Sequence, residues 1–273
     1  MKPMRTLSPP SVRLTVLTVS DLHQSLVLYV ELEEAVRMHQ PDLVAIVGDC
    51  LDLDDAGGRE LSRTECGRRL NALPCEVVFV RGNHESEGWI AFRNAWRSGR
   101  RMRPLNALNC EAFAHGPLVV VGFPCRLGDE FHYLDGRKAS HEDRSNKWLE
   151  QVIRRYGPAA RTLWIMHEPP AGTRLSEEVG PMAGRIEWLA AVERYSPMLV
   201  VCGHDHRSPI RQSAWHEKVR QTEVVNVGQK LGGTLHYSVI EMEFPGSTPC
   251  LPQRVKVAAF PWDQEVNVKE ASR

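Results

Sequence analysis

The stretch Val77-Val78-Phe79-Val80-Arg81-Gly82-Asn83-His84-Glu85 indicates a strand that ends in a functional group. Its apolar, β-branched start predicts a buried strand, and Gly82 lets the backbone turn where the strand stops. Asn83 and His84 then project from the carboxyl end, which is where open α/β sheets keep their binding sites. Taken alone, the same residues also fit an ordinary Asn/Gly turn that leads into a helix.

Four further segments repeat this combination of an apolar strand and a polar end. The strands predicted at 12–19, 43–47, 162–166 and 198–202 are apolar or β-branched runs. The polar groups that follow them are Asp21 with His23, Asp49, His167, and His204 with His206. Helical patterns lie between these strands, so the sequence predicts an α/β fold whose strand ends share one site.

The remaining segments give less specific expectations. A helix is predicted at 86–97, followed by a basic loop at 97–103, a strand pair between 110 and 123, and a loop at 124–140. A helix from about 140 to 156 and a second helix with Ile186, Leu189 and Val192 on one face follow. Strands near 223–227, 235–242 and 254–259 precede a polar tail. We expect an N-terminal extension at 1–11, one domain at 12–242, and a C-terminal strand and tail at 243–273 that pack on that domain.

Composition excludes several classes of protein. The 273 residues are 42% hydrophobic and 25% charged, with 34 basic and 34 acidic side chains, so the net charge predicts neither a nucleic-acid binder nor a membrane-surface protein. The seven cysteines form no Cys-x-x-Cys pair, which argues against a disulfide framework or a thiolate zinc site and predicts a reducing cytoplasm. Arg13 interrupts the first apolar run, which favours a strand over a signal peptide or membrane span.

The polar residues at the strand ends are suited to metal binding. Side chains at positions i and i+2 of an extended segment point the same way, so Asp21 with His23, and His204 with His206, can each offer two ligands to one side. Glycines precede several of these residues and leave room for a cation or a phosphate oxygen to approach the backbone. Imidazole and oxygen donors without thiolate suit Mn, Fe, Ni, Co or Zn.

These residues carry a resemblance to a known family. Asp21-x-His23, Gly48-Asp49, Gly82-Asn83-His84-Glu85, His167 and Gly203-His204-x-His206, in that order, resemble the full motif set of the calcineurin-like metallophosphoesterase superfamily. The resemblance spans about residues 12 to 242. Lys147-Trp148-Leu149 and the His-x-Pro-Pro pattern of 167–170 are similar to small bacterial phosphodiesterase-like members. The segment 81–85 also resembles the protein Ser/Thr phosphatases, but 20–23 and 48–52 depart from that branch.

The resemblance implies a four-layer α/β/β/α sandwich of the metallo-dependent phosphatase type, with two divalent metal ions at its rim. It implies that the first ion is bound by Asp21, His23 and His206, the second by Asn83, His167 and His204, and both by Asp49. Mn is the first expectation for the metal, with Fe, Ni, Co or Zn as alternatives. A hydroxide that bridges the ions attacks the phosphorus in line. His84 is not assigned to a metal and reaches the leaving oxygen as a proton donor or charge stabiliser.

Other polar residues receive ordinary interpretations. Asp205 is expected to be a solvated loop residue, and Glu85 either supports the site or is an acid near a helix start. Cys50 and Cys202 fit small buried positions. Six histidines without a motif partner are expected at the surface or in hydrogen bonds: His39, His115, His132, His141, His216 and His236. The cluster of Arg97, Arg100, Arg101 and Arg103 fits a solvated loop, with binding of phosphate or nucleic acid as the alternative.

The sequence therefore predicts a cytoplasmic, metal-dependent phosphoesterase, with phosphodiesters preferred over monoesters. Its partners are a phosphoester substrate, nucleotide or nucleic acid, and no membrane. A nuclease that acts on DNA or RNA is the alternative within the superfamily, favoured by the arginine cluster and opposed by the zero net charge. A metal-free interaction scaffold on the same fold is the alternative from another class of function.

Overall fold

Two stacked β-sheets form the centre of the molecule. The computed structural model describes residues 11–52, 60–86, 102–104, 112–123, 133–134, 137–138, 141–177, 183–211, 214–229, 233–246, 250–261 and 264–269. Apolar side chains from both sheets meet between them, among them Val16, Ala45, Val80, Ile165 and Val201. Burial of these alternate residues on the facing sides of the two sheets holds the layers together.

Among the described residues, the first sheet contains seven strands. Their bounds are β1 Val12–Val19, β2 Leu43–Val47, β3 Glu76–Val80, β4 Met102–Pro104, β13 Tyr237–Phe244, β14 Arg254–Phe260 and β15 Gln264–Lys269. Their order across the sheet is β15-β14-β13-β1-β2-β3-β4. Strands β1 to β4 run parallel, so their carboxyl ends share one edge. The three C-terminal strands add an antiparallel half beside β1.

In the part of the chain that the structure describes, the second sheet contains six strands. Their bounds are β5 Ala112–His115, β6 Leu118–Phe123, β9 Thr162–Met166, β10 Leu199–Cys202, β11 His216–Val219 and β12 Thr222–Asn226. Their order across the sheet is β11-β12-β10-β9-β6-β5. Strands β6, β9, β10 and β12 are parallel, and β5 and β11 are antiparallel edge strands. Two short strands, β7 Tyr133–Leu134 and β8 Arg137–Lys138, pair separately.

Helices cover the outer faces of both sheets. Their bounds are α1 Leu26–His39, α2 Arg63–Ala72, α3 His141–Tyr156, α4 Ile186–Tyr195 and the single turn α5 Ser208–Arg211. In α1 and α2, Leu32 and Leu70 belong to the cluster that covers the first sheet. In α3 and α4, Leu149 and Val192 belong to the cluster that covers the second. The predicted α/β/β/α layering is therefore confirmed.

Several sequence expectations differ from the structure. Arg103 lies in β4 rather than in a loop, and part of the expected loop 124–140 forms the β7–β8 pair. The expected polar tail contains β15, and Ile186, expected on the buried face of α4, is 64% exposed because it occupies the first position of the helix. The helix expected at 86–97 falls almost entirely outside the described residues, and so do Arg97, Arg100 and Arg101.

No helix among the described residues is long and apolar enough to cross a membrane. The proposed domain boundaries at residues 11 and 242 stay predictions.

Candidate metal centre

Backbone hydrogen bonds at the carboxyl ends of the strands bring the predicted site residues together. The N–H of Asp21, after β1, donates to the carbonyl of Gly48, after β2, at 3.0 Å. The N–H of Gly203 donates to the carbonyl of His167 at 2.9 Å, and, across the two sheets, the N–H of His204 donates to Asp21 Oδ2 at 3.0 Å. Strand ends from both sheets are thus joined into one rim.

Asp21, His23 and His206 form a first group of ligand atoms. His206 Nε2 lies 3.2 Å from Asp21 Oδ1 and 3.4 Å from His23 Nε2, and His23 Nε2 lies 4.0 Å from Asp21 Oδ1. Donor atoms that share a transition metal at about 2.0–2.2 Å are separated by about 3 Å or slightly more. The spacing of this group therefore suits one ion.

Asp49, His167 and His204 form a second group, with Asn83 beside it. His167 Nε2 lies 3.3 Å from Asp49 Oδ2 and 2.9 Å from Asn83 Oδ1. The rings of His167 and His204 meet edge to face with centroids 5.0 Å apart. Asn83, at the end of the stretch that indicates the fold, is therefore within reach of the same ion as His167.

Asp49 lies between the two groups. Its Oδ2 is 3.3 Å from His167 Nε2 in the second group and 4.0 Å from His23 Nε2 in the first. Its Oδ1 accepts a hydrogen bond from the N–H of His84 at 2.9 Å, which fixes the orientation of the carboxylate. One oxygen of Asp49 thus faces both groups while the other is anchored to the backbone.

The local backbone differs from the extended geometry expected at the strand ends. Asp21, His23, Asp49 and His204 have positive φ values of 57°, 43°, 51° and 64°. Such left-handed conformations are costly outside glycine and are concentrated at functional sites. His204 and His206, expected to point to one side, belong to different groups, because the chain turns between them instead of continuing as a strand.

The glycines before the site residues also differ from expectation. A Cβ on Gly48 would lie 2.3 Å from His167 Nδ1, one on Gly82 would lie 2.0 Å from Asp49 Oδ1, and one on Gly203 would lie 1.9 Å from Ser20 Oγ. The space beside these glycines is filled by protein side chains and is not open for a ligand. Glycine is required there because His167 and Asp49 pack against the backbone.

The hydrogen bonds of His167 indicate whether a cation fits between the site residues. His167 Nδ1 donates to the carbonyl of Val47 at 2.8 Å, so Nε2 is the atom that faces Asn83 Oδ1 and Asp49 Oδ2. Two acceptor oxygens around one nitrogen require a proton or a cation among them. Asp21 Oδ1 likewise is buried and accepts no hydrogen bond from the described residues. Both observations fit bound metal ions.

The charges of the site lead to the same conclusion. Burial raises the pKa of Asp21, but the neighbouring histidines, His206 foremost, outweigh it and hold this pKa below its usual value. Burial lowers the pKa of His167, but the Asp49 carboxylate outweighs it and raises this pKa to about 10. Two buried carboxylates thus attract positive charge strongly, and divalent cations would supply it.

Asp52 is a site residue that the sequence interpretation missed. Its Oδ1 lies 2.9 Å from His84 Nδ1 and 3.8 Å from His23 Nδ1. A carboxylate only accepts, so His84 Nδ1 carries the proton and Nε2 faces the centre, 3.8 Å from Asp49 Oδ2. The signal available in the sequence was the spacing of Asp49 and Asp52 on one loop.

Glu85 and Asp205 both have structural contacts beside the centre. Glu85 is 1% exposed and accepts hydrogen bonds from the N–H groups of Asp49, Leu51 and Gly82. Burial, followed by the charge of Asp49, raises the pKa of Glu85 to about 7. Asp205 is fully buried instead of solvated, because its carboxylate accepts from the N–H groups of residues 207 and 208 and from Ser208 Oγ.

The other histidines and cysteines have ordinary environments where they are described. His39 contacts Tyr237, His115 contacts Glu76, and His236 is buried with Nδ1 3.0 Å from the carbonyl of Gly228. Cys50 and Cys202 are buried thiols, as expected. His132 lies outside the described residues, and the side chain of His141 is not among those described.

A comparison with known proteins shows which family this chain is related to. The model of the family described as calcineurin-like phosphoesterase matches residues 14–208, which is more than half of the chain. Among proteins with curated descriptions, none matches the sequence.

Several solved structures have a similar fold. A protein of Thermus thermophilus is 19% identical, with a TM-score of 0.61 over 84% of this chain and 94% of that one. A dimetal phosphatase of Danio rerio is 12% identical, with a TM-score of 0.55 over 94% and 99%. A Plasmodium protein, described as the anchor in the inner membrane complex, is 10% identical, with a TM-score of 0.53 over 96% and 90%. At these identities the similarity shows the fold alone.

Proposed function

Because the chain belongs to the calcineurin-like phosphoesterase family, we propose that it hydrolyses phosphodiesters with the help of two divalent cations. The observation that carries the proposal is the position of Asp49 Oδ2 between two groups of ligand atoms at the rim of both sheets. Phosphomonoesters are the alternative substrates. Nucleotides are the class of phosphoester that we propose to test first.

The residues that would hold the cations are those predicted from the sequence. Asp21, His23 and His206 would hold one ion, Asn83, His167 and His204 the other, and Asp49 both. When bound, the two cations would lower the pKa of water and neutralise charge on the phosphate oxygens. The donor set mixes imidazole nitrogens with carboxylate and amide oxygens and has no thiolate, so it accommodates Mn, which we propose to test first, as well as Fe, Ni, Co or Zn.

We propose that His84 protonates the leaving oxygen. Its Nδ1–H donates to Asp52 Oδ1 at 2.9 Å, which fixes the ring and leaves Nε2 on the side of Asp49. The side chain is 23% exposed, so a substrate bound at the rim can reach it, whereas the ligand His167 is fully buried. A general acid has to be held within hydrogen-bond reach of the leaving oxygen, and the contact with Asp52 supplies this fixed orientation.

The preference for diesters rests on the His-x-Pro-Pro pattern at 167–170 and on the Lys-Trp-Leu pattern at 147–149. The test compares hydrolysis of bis(p-nitrophenyl) phosphate with that of p-nitrophenyl phosphate, both with added Mn²⁺. We expect faster hydrolysis of the diester. Faster hydrolysis of the monoester would overturn the diester preference, and no hydrolysis of either ester with Mn, Fe, Ni, Co or Zn would overturn the proposed function. A cytoplasmic location stays a prediction.

Cleavage of nucleic acid is the second candidate, for which the arginine cluster is the only support. Arg103 pairs with Val78 in β3, five residues before Asn83, which is about 17 Å away along an extended strand. A role for Arg103 would therefore be to bind a flanking phosphate and not the one that is cleaved. Arg101→Ala combined with Arg103→Ala should weaken cleavage of an oligonucleotide, and leave bis(p-nitrophenyl) phosphate hydrolysis unchanged, if this candidate is correct.

A non-catalytic scaffold is the third candidate, and the Plasmodium neighbour described as an anchor shows that the fold alone does not decide between scaffold and enzyme. The donor set supports the enzyme, since every ligand position of the motif set carries a ligand residue. Purified protein that binds no divalent cation would support the scaffold.

A further inference from the structure

Asp205 lies between two histidines that belong to different groups of ligand atoms. His204 belongs to the second group and His206 to the first, and Asp205 belongs to neither. Its side chain is fully buried. Burial of a carboxylate is costly unless the oxygens are hydrogen-bonded, so the contacts of Asp205 show what it holds in place.

The carboxylate of Asp205 closes a tight turn around His206. Its Oδ1 accepts hydrogen bonds from the N–H of Arg207 at 2.7 Å and from the N–H of Ser208 at 3.0 Å. Its Oδ2 accepts from Ser208 Oγ at 2.6 Å. A bond from an Asp side chain to the N–H two residues later forms an Asx turn, which restrains the backbone of the residue between them. Here that residue is His206.

The backbone of Asp205 is attached to the second sheet. Its N–H donates to the carbonyl of Gly203 at 2.7 Å, directly after β10. Its carbonyl accepts a long hydrogen bond of 3.4 Å from Nδ2 of Asn226, the last residue of β12. The Asx turn therefore holds His206 relative to two strands of the sheet.

His204 is anchored by other contacts. The N–H of Gly203 donates to the carbonyl of His167 at 2.9 Å, and the N–H of His204 donates to Asp21 Oδ2 at 3.0 Å. Both bonds precede Asp205 in the chain, and neither involves its carboxylate. Removal of the carboxylate would therefore release the backbone at His206 and leave His204 in place.

We propose that Asp205 is a positioning residue, which holds His206 Nε2 at 3.2 Å from Asp21 Oδ1 and thereby sets the affinity for the first ion. The proposal rests on the two-ion centre of the proposed function. The ring of His206 is 15% exposed, so a relaxed turn would let it rotate toward solvent, whereas the ring of His167 in the second group is fully buried. The first ion should therefore depend on Asp205 and the second should not.

The test is equilibrium dialysis of the protein against Mn²⁺, with bound Mn measured by elemental analysis. Residues that orient a metal ligand typically change metal affinity by about 10–100-fold when they are removed. Asp205→Ala should therefore bind one ion as tightly as the wild type and the other about 10–100-fold more weakly. Equal weakening of both ions would indicate a general distortion of the rim and would overturn the proposal. Unchanged affinity for both ions would also overturn it.

A double variant tests whether Asp205 acts through His206. Contributions of independent residues add, whereas those of residues that act through one another do not. Asp205→Ala combined with His206→Ala should bind Mn²⁺ no more weakly than His206→Ala alone. A further loss of affinity in the double variant would contradict the proposed role.

A conservative variant and a matched control separate the position of His206 from general stability. Asp205→Asn keeps an acceptor for the two N–H groups, and its amide can donate to Ser208 Oγ, so the affinity for the first ion should return. Asp42→Ala removes another acid that accepts a backbone N–H, that of Thr15 at 2.8 Å, and should bind both ions like the wild type. Asp205→Asn that binds as weakly as Asp205→Ala would contradict the geometric explanation.

Ser208→Ala replaces Asp205→Ala if the latter does not fold. It removes the hydroxyl donor to Asp205 Oδ2 and keeps both backbone N–H groups, so it should weaken the same ion by a smaller factor. Unchanged affinity of folded Ser208→Ala would then overturn the proposal.

These metal measurements do not require hydrolysis. Protein that binds two Mn and shows the predicted pattern in Asp205→Ala, but hydrolyses no phosphoester, would leave the role of Asp205 standing and remove the proposed function. Protein that hydrolyses the diester, and whose Asp205→Ala variant binds both ions like the wild type, would do the reverse.

Discussion

Asp49 lies between the two groups of ligand atoms, and we expect the binding of both ions to depend on it. Its Oδ2 faces both, and its Oδ1 is anchored by the N–H of His84. We predict that Asp49→Asn lowers turnover of a diester by more than about 100-fold, since an amide is a poor bridging ligand. The measurement is the rate with added Mn²⁺ together with metal content. Asp42→Asn, an acid outside the centre that caps the N–H of Thr15, is the control and should keep both.

We propose that His84 takes part in the chemistry and is not a metal ligand. Because its ring contacts Asp52 and lies outside the two ligand groups, His84→Ala should remain folded with two bound ions. Its kcat should fall by about 10²–10⁴ for an alkyl leaving group, and less for p-nitrophenolate, which leaves without a proton. Measuring the rate of hydrolysis and the metal content of the same variant distinguishes a catalytic role from a ligand role. Metal loss in this variant would show that His84 is a ligand.

At the residue scale, the sequence predicted which strand-end residues meet at the rim, and it did not predict the contacts of Asp52 and Asp205. The strand-end residues could be identified because each one follows a recognisable strand. Asp52 lies in a loop, and its contacts with His84 and His23 arise from tertiary structure across 32 and 29 positions of sequence. Asp205 was misjudged because strand alternation does not apply where the chain turns into a short helix.

At the element scale, the turn after β2 shows how the fold holds a ligand. Gly48 has φ +94°, and a Cβ there would lie 2.3 Å from His167 Nδ1. We predict that Gly48→Ala lowers the free energy of unfolding by about 2–4 kcal/mol, because it adds both backbone strain and a clash. It should also weaken binding of one of the two ions.

Urea unfolding and metal analysis check the Gly48 prediction. Gly246→Ala is the matched control, since a Cβ at Gly246 has no atom within 4 Å. Equal stability of the two variants would mean that the packing of His167 does not require the β2 turn to approach it closely.

Strand β15 shows what sequence patterns miss at the element scale. The segment 264–269 contains two apolar residues among charged and polar ones, which predicts a polar tail. In the structure it pairs with β14, and Val266 and Val268 pack against the core between the sheets. Trp215 Nε1 also donates to Gln264 Oε1. An edge strand with one buried face has a weak signal of its own because neighbouring strands stabilise it.

At the scale of the whole molecule, His236 makes stability depend on pH. Burial lowers the pKa of His236 to about 4, with a partly compensating hydrogen bond to the carbonyl of Gly228. Between about pH 6.5 and 4, the unfolded chain therefore binds a proton that the folded protein does not. The stabilisation by neutral His236 is fully present above pH 6.5. Acidification through this range should lower the free energy of unfolding by up to about 3 kcal/mol.

Urea unfolding of the wild type and of His236→Asn across this pH range checks the prediction. Asparagine keeps a donor for Gly228 but does not titrate, so the variant should lose less stability on acidification. Both proteins contain the other titratable groups. Subtracting the pH dependence of the variant's stability from that of the wild type therefore removes their contribution. A difference that does not change with pH would contradict the buried neutral state of His236.

The layers of the molecule were easier to predict from the sequence than the geometry of its rim. Apolar runs of strand length that alternate with amphipathic helices predict an α/β fold, and the resemblance to the family predicts the two sheets covered by helices that are observed. The rim depends on left-handed residues such as Asp21 and His204, whose conformations are imposed by hydrogen bonds from distant strands. Local propensity therefore cannot predict them.

We propose that phosphoester hydrolysis by this protein requires two ions held around Asp49. The most direct test adds Mn²⁺ stepwise to metal-stripped protein and measures the rate of bis(p-nitrophenyl) phosphate hydrolysis at each equivalent bound. We predict that most of the activity appears with the second equivalent and reaches a plateau at two ions per chain. Full activity with one ion or with none would contradict the requirement for two ions.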